Sequence, residues 1–144
     1  LGELVASVVE EFEDMGQPVE LGRSEKVAMP LRATWLRRGI RNLIENAVRY
    51  GHGAQVSLVR ENGEAVVRIV DSGPGIPDDE LEDMFQSFTR GEASRSRETG
   101  GAGLGLTLAR AIAVQHGGRL VLTNRRNPDG AIEGLEAAFR LPLD

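Results

Sequence analysis

Apolar residues recur along the chain with two different periods. Leu4, Val5, Val8, Val9 and Phe12 return at helical spacing, and Gly16-Gln17-Pro18 stops that helix. Val19-Glu20-Leu21 alternates as a short strand does, and Val27-Ala28-Met29 is a second strand candidate. Pro30 and Leu31 open a long helix to about Tyr50, because a first turn tolerates proline, and Gly51-His52-Gly53 ends it. Gln55–Glu61 alternates with Val56 and Leu58 inward and Val59 a third candidate. Asn62-Gly63 is a hairpin turn, and Ala65–Val70 returns as the partner strand.

Asp71-Ser72-Gly73-Pro74-Gly75-Ile76-Pro77 then reads as a loop, and Asp78-Asp79-Glu80 starts a short helix through Phe85. Gln86–Gly101 is polar without periodicity, and an irregular stretch of ~15 residues inside a compact domain is the usual form of a lid. Leu104–His116 is helical and Gly117-Gly118 caps it. Leu120–Thr123 and Leu135–Leu141 close the chain as strands around Asn127-Pro128-Asp129-Gly130. Hairpin-linked strands backed by about three helices on one face predict an α+β domain over residues 1–144.

Two stretches carry chemistry beyond this pattern. Gly101, Gly103 and Gly105 precede an apolar helix; bare backbone there can turn several N–H groups to one point, where the helix N-terminus adds positive potential suited to phosphate. In the long helix, Leu36, Ile40, Leu43, Ile44 and Ala47 form the buried stripe. At ~100° per residue, Asn42, Asn46, Arg49 and Tyr50 gather in a sector beside it.

Composition narrows the function. At 144 residues, 40% hydrophobic and 27% charged, the chain is an ordinary single globular domain. No apolar run has the roughly 20 residues of a membrane span. Zero cysteines exclude disulfides and thiolate metal sites, and the net charge of −5 argues against a nucleic-acid surface. Arg32, Arg37, Arg38, Arg41 and Arg49 are expected on a solvated helix face. A start at Leu1-Gly2-Glu3 is expected of a piece of a longer protein.

Four ordered motifs resemble those of sensor histidine kinases. Asn42–Tyr50 resembles their N box, Asp71–Ile76 the G1 box, Phe85-Gln86-Ser87-Phe88 the F box and Gly101–Leu106 the G2 box. The segment Phe85–Glu92 looks most like osmosensor-type kinases. The resemblance implies the two-layer ATP-binding fold shared with gyrase, heat-shock chaperones and mismatch-repair ATPases. There a mixed, mostly antiparallel sheet of about five strands carries helices on one face, with a lid here at about 86–101. It implies ATP and Mg²⁺ as ligands, with Asn46 on the metal, Asn42 near the phosphates, and Arg49 and Arg90 contacting phosphate. Tyr50 is implied to stack on adenine, Asp71 to bind its amino group, and Gly73, Gly75 and Ile76 to admit the base. Gly101, Ala102, Gly103, Leu104, Gly105 and Leu106 are implied to wrap the triphosphate. Phe85 and Phe88 are expected to anchor the lid in the core.

The chemistry of Asp71 fits that role: a carboxylate accepts from the 6-amino group of adenine, whereas guanine opposes it with a carbonyl. A turn residue capping Gly73 is its plainer role. Asn42 bears on reaction type, because hydrolysing relatives carry a glutamate there as general base and asparagine takes no proton. Glu45, one residue before Asn46, points ~100° away from it.

Slow hydrolysis is therefore expected, with the γ-phosphate going to a histidine on a separate dimerisation domain and thence to a response regulator. His52 and His116 lack the acidic and proline residues that follow the family's phosphoacceptor, so turn and cap roles are expected of them. The resemblance further implies a monomeric cytoplasmic domain of an inner-membrane sensor, with no nucleic-acid or membrane contact of its own. The alternatives are an anti-sigma-type serine kinase or binding module, whose members carry an acid at position 42, and a non-catalytic nucleotide sensor. Ala102 and Leu135, where the family commonly has Thr or Ser and Thr, bear on the latter.

Overall fold

The structure, a computed structural model, describes residues 1–77 and 102–143, with backbone alone for 102–105. The expected short helix at 78–85, the lid, Phe85, Phe88, Arg90 and Gly101 lie outside the described residues. In chain order the elements are α1 (Gly2–Asp14), β1 (Val19–Ser24), α2 (Ala33–Gly51), β2 (Ala54–Glu61) and β3 (Glu64–Val70). These are followed by α3 (Ala102–Gln115), β4 (Arg119–Arg126) and β5 (Ile132–Pro142).

The five strands form one sheet in the order β1-β2-β3-β5-β4. Only β1 and β2 run parallel; the β2–β3, β3–β5 and β4–β5 pairs are antiparallel. Alternation along each strand sends Val56, Leu58, Val67, Ile69, Phe139 and Leu141 to one face. There they join Val5, Val8 and Val9 of α1, Leu36, Ile40 and Ile44 of α2, and Ala109 and Ile112 of α3 in one buried cluster. The three described helices thus cover a single face, making an α+β two-layer sandwich.

The other face is covered by charge. Val66 and Ala138 are buried there, cross-paired with Arg140 and Arg68, whose aliphatic stems shield apolar surface while their ends pair with acids. Arg68 meets Glu61 at 3.0 Å and Glu136 at 3.6 Å, and Arg140 meets Glu61 at 3.1 Å and Glu64 at 3.4 Å. The Arg68 hydrogen bond, seconded by Arg140, holds the Glu61 carboxyl below its ordinary range.

Several expectations are corrected. Val27-Ala28-Met29 is not a strand. The Glu25 carboxylate accepts the Arg60 N–H at 2.6 Å, a backbone donor that a continuing strand would have needed, and β1 ends at Ser24. Val59 pairs with Val66 on the face away from the helices, so it does not point inward with Val56 and Leu58. The long helix starts at Ala33 rather than at Pro30 and Leu31, with Arg32 as its extended N-cap and the Arg32 N–H donating to His116 Nε2 at 3.0 Å. The last helix starts at Ala102, two residues before Leu104, so Gly103 and Gly105 lie within its first turns and not in a loop ahead of it. The closing strands are longer than their apolar cores. Asn127 Oδ1 accepts from the N–H groups of Asp129 and Ala131 at 3.0 Å each and builds the turn between them.

Candidate functional site

A cavity of about 220 Å³ opens at the end of the sheet where β3 leaves it. Leu43, Asn46, Ala47 and Tyr50 of α2 form one wall, and Ile69, Leu135 and Ala137 of the sheet form the floor. Asp71, Pro74, Gly75, Ile76 and Pro77 of the loop after β3 close one side, and Leu106 of α3 another. Its walls are mostly apolar with a few polar groups, the usual character of a ligand pocket. It is smaller than the ~300–1,000 Å³ that takes a drug-sized ligand whole. A flat base fits that volume; phosphates would extend out of it.

Asp71 is the buried carboxylate of this cavity. Only 9% of it is exposed. Its Oδ1 accepts from the N–H groups of Gly73 and Leu135, each at 3.0 Å, while its own N–H donates to the Leu135 carbonyl at 3.0 Å. The Gly73 bond is the turn cap that a local reading of this residue anticipates. The carboxylate does more than that, because the cap occupies one oxygen and Oδ2 has no hydrogen-bond partner among the described residues.

Asn46 supplies the second uncommitted group. Its Nδ2 is buried without a hydrogen-bond partner among the described residues. Such an atom costs about 1–3 kcal/mol, so its retention in a cavity wall points to a polar ligand. Rotating the amide by a half turn exchanges Nδ2 and Oδ1 at little steric cost, so the position can offer a donor to phosphate or an oxygen to a hard cation. The described residues contain no cluster of three histidines or acids that could cage a metal. One amide oxygen beside phosphates and water is a donor set that suits Mg²⁺.

The helical sector anticipated from the sequence divides. Asn46 and Tyr50 line the cavity; Asn42 and Arg49 do not. Asn42 is half-buried one turn earlier, and Arg49 is exposed with its guanidinium 5.3 Å from the Tyr50 ring centroid. In the loop, Gly75 and Ile76 reach the cavity, whereas Gly73 stands behind it as the donor to Asp71. Leu106 lines the cavity from α3, and the backbone of Ala102, Gly103, Leu104 and Gly105 is helical just before it. His52 takes a left-handed conformation at φ 66° after α2, a turn position, whereas the His116 ring bridges the Arg32 N–H and the Ile112 carbonyl at the end of α3.

Sequence reasoning missed the contribution of β4. The side chains of Asn124 and Arg125 hydrogen-bond the loop backbone at Ile76 and Asp71. No local signal marks them, since they meet the loop only through strand pairing.

Residues 32–144 match the sequence profile of the family described as histidine kinase-, DNA gyrase B-, and HSP90-like ATPase. The chain is 36% identical over 139 residues to the sensor histidine kinase GtrS of Pseudomonas aeruginosa, covering 96% of this chain and 27% of that protein. It is 34% identical over 130 residues to the sensor histidine kinase RppB of Synechocystis, covering 85% of this chain and 29% of that one. It therefore spans less than a third of the length of these relatives. Among solved structures, the ATP-binding domain of PrrB from Mycobacterium tuberculosis superposes with a TM-score of 0.74 at 25% identity, covering 99% of this chain and 93% of that one. The catalytic domain of the histidine kinase ThkA shares the fold with a TM-score of 0.73 at 24% identity, covering 99% and 92%.

Proposed function

This chain belongs to the histidine kinase-, DNA gyrase B- and HSP90-like ATPase family, and we propose that it binds Mg-ATP and hands the γ-phosphate to a histidine on a separate dimerisation domain. The observation that carries this reading is the Asp71 carboxylate, locked through Oδ1 and, among the described residues, open at Oδ2 beside a base-sized cavity. Oδ2 accepts the 6-amino group of adenine. Ile76, Leu106 and Ala47 exclude water from the base, which raises the cost of any mismatch at Asp71. Tyr50 of the cavity wall stacks on the base, and Asn46 beside it meets the phosphates.

Mg²⁺, when bound, neutralises charge on the phosphates, and Asn46 is the residue that would hold it. Arg49, exposed beside the Tyr50 ring, offers one cation for the phosphates, and the motif resemblance assigns Arg90 and the Gly101–Leu106 segment to the same task. Asn42 takes no proton from water, so this chain hydrolyses ATP slowly. The acceptor's imidazole nitrogen attacks Pγ, the bond from Pγ to the β–γ bridging oxygen breaks, and ADP departs; positioning and electrostatics supply most of the rate. The phosphoryl group then passes from that domain to a response regulator.

The Phe85–Glu92 segment supports an osmosensor-type parent, with this domain a cytoplasmic monomer beneath an inner-membrane sensor. Among the described residues no helix is long and apolar enough to cross a membrane.

The test is calorimetry of ATP and GTP with Mg²⁺, then radiolabelled ATP with and without a separate acceptor domain. ATP-selective binding, with label only on the added histidine, is expected. Binding without transfer would make the chain a nucleotide sensor, and efficient self-labelling would contradict the assignment.

A further inference from the structure

We infer that Asn124 and Arg125, neighbours on β4, act as positioning residues that set adenine affinity without touching the nucleotide. The inference rests on the reading of the cavity as an adenine site. Successive strand residues point to opposite faces of a sheet. Asn124 and Arg125 therefore reach the same loop from its two sides, and each does so by passing the end of β5.

On one side Asn124 makes a reciprocal pair with Ile76. The Ile76 N–H donates to Asn124 Oδ1 at 3.0 Å, and Asn124 Nδ2 donates to the Ile76 carbonyl at 2.5 Å. Both backbone groups of a cavity-lining residue are thus taken by one side chain, as a neighbouring strand would take them. The approach depends on Gly75 at φ 67°, where a Cβ would stand 2.5 Å from Asn124 Oδ1. On the other side the Arg125 Nη1 donates to the Asp71 carbonyl at 2.8 Å. It does so past Gly134, its register partner, where a Cβ would stand 3.1 Å from Nη1 and 2.1 Å from the Asp71 oxygen.

The two contacts bracket the loop at the residues that matter for a base. Arg125 fixes the backbone carrying the Asp71 carboxylate, and Asn124 fixes the wall formed by Ile76. Pro74 and Pro77 have no N–H to offer, so side-chain donors and acceptors from outside the loop carry more of its order. A loop released at either end must be ordered by the nucleotide itself, and that ordering is subtracted from affinity.

The experiment uses Asn124→Ala and Arg125→Met, with Asn124→Asp as a variant that keeps the acceptor for Ile76 N–H. Calorimetry with ATP and with GTP, thermal melting, and amide exchange at Ile76 in nucleotide-free protein are measured on each. Asn124→Ala should weaken ATP binding about tenfold, GTP binding by less, and speed Ile76 exchange, with Asn124→Asp in between. ATP affinity within about twofold of the parent in Asn124→Ala and Arg125→Met overturns the inference. So does equal weakening of ATP and GTP together with a lowered melting temperature, which marks a merely structural role. If Asn124→Ala fails to fold, Asn124→Asp and Arg125→Met carry the same comparison. If the parent binds no adenine nucleotide, the functional reading falls on its own; faster Ile76 exchange in the variants then still reports the clamp.

Discussion

The Asp71 carboxylate packs directly onto the backbone of Gly51, so closely that a Cβ at residue 51 would stand 2.2 Å from the Asp71 Cγ. The last residue of α2 and the first residue after β3 are thereby one unit, tied further by the Ser72 N–H donating to the Gly51 carbonyl at 3.2 Å. Because Gly51 is committed to this approach, the left-handed turn that ends α2 falls to His52, at φ 66°, at a cost of roughly 1–2 kcal/mol.

Gly51→Ala should therefore move Asp71. A methyl group in that space forces the carboxylate or the helix end aside, a typical overpacking cost of about 1–3 kcal/mol. Thermal denaturation should show that loss, and calorimetry should show ATP binding weakened by at least about tenfold because the hydrogen-bonding oxygen is displaced. Unchanged ATP affinity in a destabilised protein would separate Gly51 from the site.

Asp71→Asn should preserve the fold and invert the base contact. The amide oxygen can still accept from Gly73 and Leu135, while the amide nitrogen meets the adenine amino group donor to donor. ATP affinity should fall by about 10–100-fold with GTP affinity less affected, since an unmatched buried donor costs about 1–3 kcal/mol. Competition binding with the two nucleotides checks this.

Asn46→Leu should separate stability from binding. The parent carries a buried Nδ2 without a partner among the described residues, so an apolar side chain of similar size should leave the nucleotide-free protein equally stable or up to about 1 kcal/mol more so. Mg-ATP binding should nevertheless be lost. Urea denaturation alongside Mg-dependent calorimetry measures both, and loss of stability without loss of binding would remove Asn46 from the metal assignment.

Acid should weaken the domain through Glu61. Its folded-state pKa lies below the ordinary 4.5, chiefly through the Arg68 hydrogen bond and then that of Arg140. The sign follows: the charged carboxylate contributes stability above about pH 4.5, and that contribution disappears as pH falls through the lowered folded value. Glu61→Gln should be less stable than the parent near neutral pH, and the gap should close on acidification. Denaturation midpoints at pH 7 and at low pH, in low salt, test it; a gap that widens in acid would contradict the ion-pair account.

Much of the architecture was legible because it is local. The stripe Leu36–Ala47, the alternation of Gln55–Glu61 and the Asn62-Gly63 turn each express a backbone period within a few residues. Failures arose where a distant group decided. A strand at Val27-Ala28-Met29 was plausible locally, but the Glu25 side chain took the Arg60 N–H it needed. Val59 could have faced inward until its pairing with Val66 put it on the charged face. The Asn42–Tyr50 sector was correct as helix geometry, yet of its four residues only Asn46 and Tyr50 reach the cavity, because the loop after β3 closes against the Gly51 end of α2.

The sequence by itself determined the elements, the order of the motifs and the residue types that a nucleotide site requires, since these depend on spacing along one chain. Tertiary structure alone decided which polar atoms remain uncommitted among the described residues: Leu135 and Gly73 occupy Asp71 Oδ1 and leave Oδ2 open, and the loop is held because Asn124 and Arg125 straddle β5. Strand pairing brings those partners together across separations of 48 to 64 residues, and no local period encodes which groups such a pairing will satisfy and which it leaves for a ligand.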